Sequence, residues 1–182
     1  MTAVLQQGCT VWLTGLPSSG KTTIATALAE RLRGDGHRVE VLDGDVIRSF
    51  LSAGLGFSRE DRDTNVQRIG LVAEILARNR IIALVPVIAP YRASRDAVRK
   101  RHEQSGTPYL EVHVATPVEV CAKRDVKGLY ARQAAGELTG LTGVDDPYEV
   151  PESPDLRIET QNQTVRESAV MLHALLIVRG LL

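Results

Sequence analysis

Short apolar runs alternate with stretches of helical period along this chain. Apolar runs at 10–14, 39–42, 81–88, 109–114 and 156–159 read as strands. Stretches at 21–33, 46–53, 60–79, 93–104, 117–124 and 165–178 carry apolar residues at helical spacing. The run at 81–88 is apolar nearly throughout, as expected of a parallel strand covered on both faces. Strand–helix alternation of this kind predicts an α/β fold. We expect a doubly wound, mainly parallel five-stranded sheet with helices on both faces, within one domain spanning residues 1–182. The stretch 128–154 interrupts the alternation with Gly128, Gly136, Gly140, Gly143, Pro147, Pro151 and Pro154. A loop of that length inside a compact domain is a functional cover or a plain surface insertion, and we expect a lid.

Composition narrows the class. The chain has 182 residues and 22 basic against 22 acidic side chains, so its net charge is zero. No global basic field points to nucleic acid. The 43% apolar content fits a globular core. Residues 1–8 lack the basic and apolar segments of a leader, and no run of about 18 apolar residues suggests a membrane span. The expected compartment is the cytoplasm. Cys9 and Cys121 lie far apart, and both read as buried free thiols.

Chemistry concentrates after the first strand. Gly15, Leu16, Pro17, Ser18, Ser19, Gly20, Lys21 and Thr22 spell G-x-x-x-x-G-K-[ST], between an apolar strand and a helix-forming run. Glycines there let the backbone turn its N–H groups onto an anion, and the helix N-terminus adds its own donors. Lys21 supplies a charge for the β- and γ-phosphates, and the Thr22 hydroxyl a ligand for Mg²⁺. The expected co-substrate is ATP.

The second strand ends in Leu42-Asp43-Gly44-Asp45. In doubly wound sheets ligands sit outside the carboxyl ends of strands, which puts both acids opposite the phosphate loop. One can support Mg²⁺ and the other can accept a proton from a substrate hydroxyl. A purely structural alternative makes Asp45 the N-cap of the next helix. Arg48, Phe57, Arg62, Asn65 and Arg68 follow. They read either as a solvated helix face or as a site for an anionic second substrate, since a guanidinium matches phosphate or sulfate. Pro90-Tyr91-Arg92 closes the third long strand, as a turn or as a ligand contact.

Taken together, these residues resemble the adenylylsulfate kinase family of P-loop kinases from about residue 9 to 156. The blocks are Gly-Leu-x-x-x-Gly-Lys-Thr-Thr at 15–23, Leu-Asp-Gly-Asp at 42–45, and Gly-Leu-Gly-Phe-Ser-x-Glu-Asp-Arg at 54–62. Asn-x-x-Arg-Ile-Gly at 65–70, Pro-Tyr-Arg at 90–92, Lys-Gly-Leu-Tyr at 127–130 and Thr-Gly-Val-Asp-Asp-Pro-Tyr-Glu-x-Pro at 142–151 complete them. The resemblance implies transfer of the ATP γ-phosphate to the 3′-hydroxyl of adenosine 5′-phosphosulfate. It implies that residues 15–23, Thr23 included, hold the ATP phosphates and Mg²⁺, with Asp43 supporting the metal. Asp45 corresponds to the base, Arg48, Arg62 and Asn65 to holders of phosphosulfate and ribose, and Phe57 to an aromatic stacked on the acceptor adenine. By the same resemblance Ile88 and Pro90 would border that nucleotide, and Lys127, Gly128 and Leu129 would begin the lid. The resemblance also implies that Arg124 lies near the ATP adenine and that the assembly is a homodimer.

Three positions depart from the family pattern. Val46 replaces an Asn, Ala89 a Ser, and Leu141 a Phe that would cover the other face of the acceptor adenine. Direct in-line transfer needs no serine at position 89. Two other readings therefore stand beside the first: a kinase for a related nucleotide conjugate, and a nucleotide-dependent switch without a second substrate.

Overall fold

The computed structural model describes residues 7–182, so nearly all of the leader-free stretch expected at 1–8 lies outside the described residues. Strand β1 (Cys9–Thr14) runs through the centre of a five-stranded sheet. The others are β2 (Val39–Val41), β3 (Ile82–Pro86), β4 (Tyr109–Val114) and β5 (Leu156–Ile158). Their spatial order is β2-β3-β1-β4-β5, and every pair is parallel. The expectation of a mainly parallel sheet thus sharpens to a wholly parallel one.

Residues alternate across this sheet with period two. Cys9, Val11 and Leu13 enter one core with Ile24, Leu28 and Leu32 of α1 (Lys21–Gly34) and Leu172 and Leu176 of α7 (Val165–Val178). Trp12 enters the other, with Val66, Ile69 and Ala73 of α3 (Arg59–Arg78) and Val98 of α4 (Arg92–Gln104). Each face therefore carries one helix pair, and both layers need the sheet between them to be complete. The two cysteines are buried and free, as expected.

Three local expectations change. Strand β3 stops at Pro86 rather than residue 88, because Ala89 adopts a left-handed φ of 43° and turns the chain away from the ladder. Helix α2 (Gly44–Phe50) starts two residues early, because Asp43, not Asp45, is its N-cap: Asp43 Oδ1 accepts from the amides of Asp45 at 2.9 Å and Val46 at 3.4 Å. The 128–154 stretch is not structureless. After α5 (Val118–Arg124) it holds helix α6 (Leu129–Ala134) and a bridge between Thr142 and Asp146.

Candidate active site

The loop after β1 is built to approach other backbone closely. A Cβ at Gly15 would lie 2.5 Å from the Val114 carbonyl oxygen, so only glycine fits under the end of β4. Ser18 and Gly20 take left-handed φ values of 60° and 102°. The loop then feeds α1, with the Ile24 amide donating to the Gly20 carbonyl at 3.0 Å. Lys21 folds back over the loop and donates to Gly15 O at 2.9 Å and Leu16 O at 2.6 Å. Burial pulls its pKa down to about 7, with Lys127 adding to the shift and Cys121, Asp45 and Asp43 opposing it.

The acidic turn meets the loop directly. Thr22 Oγ1 donates to Asp43 Oδ2 at 3.0 Å, so the expected metal-holding pair is in contact. Asp45, on the first turn of α2, is exposed and ion-paired with Lys127. The start of the 128–154 segment is thereby tied to the acidic turn.

Among the residues expected to hold the acceptor, Arg48 lies over the Phe57 ring, 4.2 Å from its centroid, and donates to the carbonyls of Leu55 and Gly56. Asn65 Oδ1 is buried, and no group among the described residues donates to it. Ile88 is half-buried and Pro90 buried at the strand end beside these groups.

Arg62 is buried, and each nitrogen of its guanidinium makes a hydrogen bond within the protein. Nε donates to Phe57 O at 2.8 Å, Nη1 to Thr142 Oγ1 at 2.6 Å and Nη2 to Gly140 O at 2.7 Å, and Asp146 lies at 3.2 Å. It clamps the far end of the segment.

The acidic block at 142–151 explains itself residue by residue. Asp145 accepts from the amides of Gly140 at 2.9 Å and Leu141 at 2.6 Å, and these bonds lower its pKa. Asp146 pairs with Arg62. Tyr148 meets Thr14 Oγ1 at 3.0 Å at the end of β1 and stacks on His113 with centroids 6.0 Å apart. Burial, with Arg157 and Arg95 nearby, drops His113 to about 4, so it is neutral at physiological pH. Glu149 accepts from the Arg92 amide at 2.6 Å and donates its own amide to Pro90 O at 2.8 Å. Gly143 sits so close to the loop that a Cβ there would come within 2.4 Å of Leu16 Cδ2. A cleft of about 520 Å³ lies between Leu16 and residues 143–148.

Two expectations about this segment are redrawn. Leu141, expected to line the acceptor pocket in place of an aromatic, is not an open pocket wall. It is 5% exposed and packs with Cys121 and Tyr130 in a small core under the segment. Gly128 and Leu129 begin α6 rather than a loop, held by Asp125, which accepts from the amides of Tyr130 at 3.1 Å and Ala131 at 3.0 Å. Arg124 lies beside the phosphate loop, donating to Ser19 O at 3.3 Å and Thr160 Oγ1 at 2.8 Å. Three residues that the motifs do not reveal complete the picture: Thr116, Thr160 and Arg95. Their sequence signal is slight, a polar residue just past a strand or in a helix first turn.

Known proteins resemble this chain over nearly its whole length. The family model described as adenylylsulphate kinase matches residues 7–159. An adenylyl-sulfate kinase of Rippkaea orientalis is 52% identical over 169 residues, covering 92% of this chain and 90% of its own. A probable adenylyl-sulfate kinase of Aeropyrum pernix is 46% identical, covering 94% and 93%. A solved APS kinase of Mycobacterium tuberculosis, in complex with AMPPNP and APS, superposes with a TM-score of 0.91 at 43% identity, covering 94% of this chain and 98% of its own.

Proposed function

This chain belongs to the adenylylsulphate kinase family, and on that premise we propose that it transfers the γ-phosphate of ATP to the 3′-hydroxyl of adenosine 5′-phosphosulfate, giving 3′-phosphoadenosine 5′-phosphosulfate and ADP. The observation that carries the reading is the junction of donor and acceptor sides. Thr22 of the phosphate loop bonds Asp43, and Asp45, two residues on, pairs with Lys127 where the 128–154 segment begins.

The 15–23 loop binds the ATP phosphates, and Lys21 neutralises charge as it builds on the γ-phosphate. Arg48, Phe57 and Asn65 hold the acceptor, and the unpartnered Asn65 Oδ1 offers an acceptor for a substrate hydroxyl or amine. Asp45 takes the proton as the 3′-oxygen bonds to phosphorus and the bond to the β-phosphate oxygen breaks. Thr22 and Asp43 are hard oxygen donors 3.0 Å apart, a set that fits Mg²⁺ when phosphates and water complete it. Bound there, Mg²⁺ supplies charge neutralisation at the phosphates. Residues 128–154 serve as the lid, seated on Leu16 and Tyr91's neighbours and excluding water. Arg62 acts mainly by holding that lid.

Among the described residues no helix is long and apolar enough to cross a membrane. We place the enzyme in the cytoplasm as a homodimer, to be checked by light scattering. A coupled ADP-release assay with adenosine 5′-phosphosulfate tests the activity; turnover of other nucleoside conjugates and none with this acceptor refutes it.

A further inference from the structure

The phosphate loop has a brace that none of its own motif residues supplies. Thr116 follows β4 and is 4% exposed, and its Oγ1 lies 2.9 Å from the carbonyl oxygen of the fully buried Ser19. Thr160 follows β5, and its Oγ1 lies 2.6 Å from Thr116 Oγ1 and 3.2 Å from the same carbonyl. Arg124, the last residue of α5, donates from Nη1 to Thr160 Oγ1 at 2.8 Å and more distantly to Ser19 O at 3.3 Å, and from Nη2 to Thr160 O at 3.1 Å. Each hydroxyl has one hydrogen to give. Arg124 has no acceptor, so its N–H must point at Thr160. The arrangement that uses the shortest contacts then runs one way: Arg124 to Thr160, Thr160 to Thr116, Thr116 to Ser19 O.

We propose that Thr116 and Thr160 are positioning residues that orient and polarise the Ser19–Gly20 peptide for phosphate binding. In a trans peptide the carbonyl and the next N–H point in opposite directions, and the described residues contain no cis bond. Pinning the Ser19 carbonyl on the outside of the loop therefore aims the Gly20 N–H inward, at the phosphates. Gly20 needs this help, because with a φ of 102° and no side chain its peptide is among the freest in the loop. The chain of bonds starts at a permanent cation, so each hydroxyl becomes a better donor to the next group. The end effect is a more strongly polarised Gly20 N–H. The device also links the loop to the ends of β4, α5 and β5.

The inference rests on the nucleotide-binding part of the proposed function. Its test is calorimetric titration of ADP and of AMP into the intact enzyme, beside KM for ATP and for the acceptor. Paired replacement Thr116→Val with Thr160→Val removes the hydroxyls and keeps the shapes. We expect ADP to bind about three- to tenfold more weakly, the range of one or two net hydrogen bonds. KM for ATP should rise in step, with AMP affinity and acceptor KM unchanged. Thr116→Ser with Thr160→Ser should restore the wild-type values. Unchanged ADP affinity in the valine pair overturns the proposal, as does equal weakening for AMP and the acceptor. If the valine pair fails to fold, Thr160→Val alone is read the same way, against a twofold threshold. Wild-type enzyme that binds ADP and transfers nothing refutes the proposed activity and leaves this inference standing.

Discussion

Replacing Arg62 by lysine keeps the positive charge and removes the fork. The guanidinium reaches Phe57 O, Thr142 Oγ1 and Gly140 O at 2.8, 2.6 and 2.7 Å, and sits 3.2 Å from Asp146. A lysine ammonium, tetrahedral and on a straight stem, can satisfy Asp146 and at most one carbonyl in the same space. At least two bonds from a charged donor are lost, each worth about 1.5–3 kcal/mol when buried. Water can reach part of the vacated space, since Gly140 and Asp146 are half-exposed, so the net loss is about 2 kcal/mol. It should appear as local opening of residues 140–146, about thirtyfold more frequent, and not as global unfolding. Amide hydrogen exchange reads this directly. The amides of Leu141, Gly143 and Val144 are bonded to Asp145 Oδ1, Asp146 O and Leu141 O, and should exchange about thirtyfold faster in Arg62→Lys. Amides in β1 should keep their protection. Unchanged exchange at 141–144 would show that the fork does not hold the segment. Equal acceleration in β1 would show a global effect instead.

Three further outcomes follow from the site. Because burial holds Lys21 near 7 and a phosphate beside it favours the ammonium, ADP binding above pH 7 takes up a proton. Affinity is then full below pH 7 and falls by up to about tenfold per unit above it; calorimetry at pH 8 in buffers of different ionisation heat should show nearly one proton taken up, and zero uptake removes the argument. Asp45→Asn should lower kcat by about 10²–10⁴ while ATP affinity changes little, and an unchanged kcat in single-turnover assays rules Asp45 out as the base. Leu141→Phe should overfill the core shared with Cys121 and Tyr130, costing about 1–3 kcal/mol. Thermal unfolding should report a Tm lower by about 2–4 °C per kcal/mol, with no gain in acceptor affinity; tighter acceptor binding at unchanged Tm would mean that this side chain leaves its core to cover the nucleotide.

The central strands β1 and β3 were legible because burial on both faces writes continuous apolar runs, and the phosphate loop because its glycines are dictated by backbone contact at Gly15 and by a positive φ at Gly20. Gly15 under Val114 O is such a case. Helix α6 was not legible. Its six residues lie in a glycine- and proline-rich stretch, too short to show a period, and form because Asp125 caps them and Tyr130 reaches Pro17 O at 3.0 Å. The role of Arg62 was half legible. An arginine near a phosphate loop suggests an anion, but its partners at 140–146 are some eighty positions away, and backbone carbonyls leave no trace in a sequence. Thr116 and Thr160 are ordinary threonines until the fold brings both to one carbonyl.

Arg95 carries a consequence for how the chain is made. It is 2% exposed, and its guanidinium bonds Glu111 Oε1 at 2.8 Å, Ala89 O at 2.7 Å and Glu149 O at 2.7 Å. The first two acceptors are available soon after α4 is synthesised, whereas the third arrives some fifty residues later. Until then one nitrogen of this buried, charge-paired guanidinium lacks its acceptor, and α4 is docked incompletely. Ribosome-bound chains halted before residue 149 should be cut readily around α4 by a protease, and chains carried past it and out of the exit tunnel should resist. The turn at Ala89, which Arg95 ties to Glu149, is therefore among the last parts of the molecule to set during its synthesis.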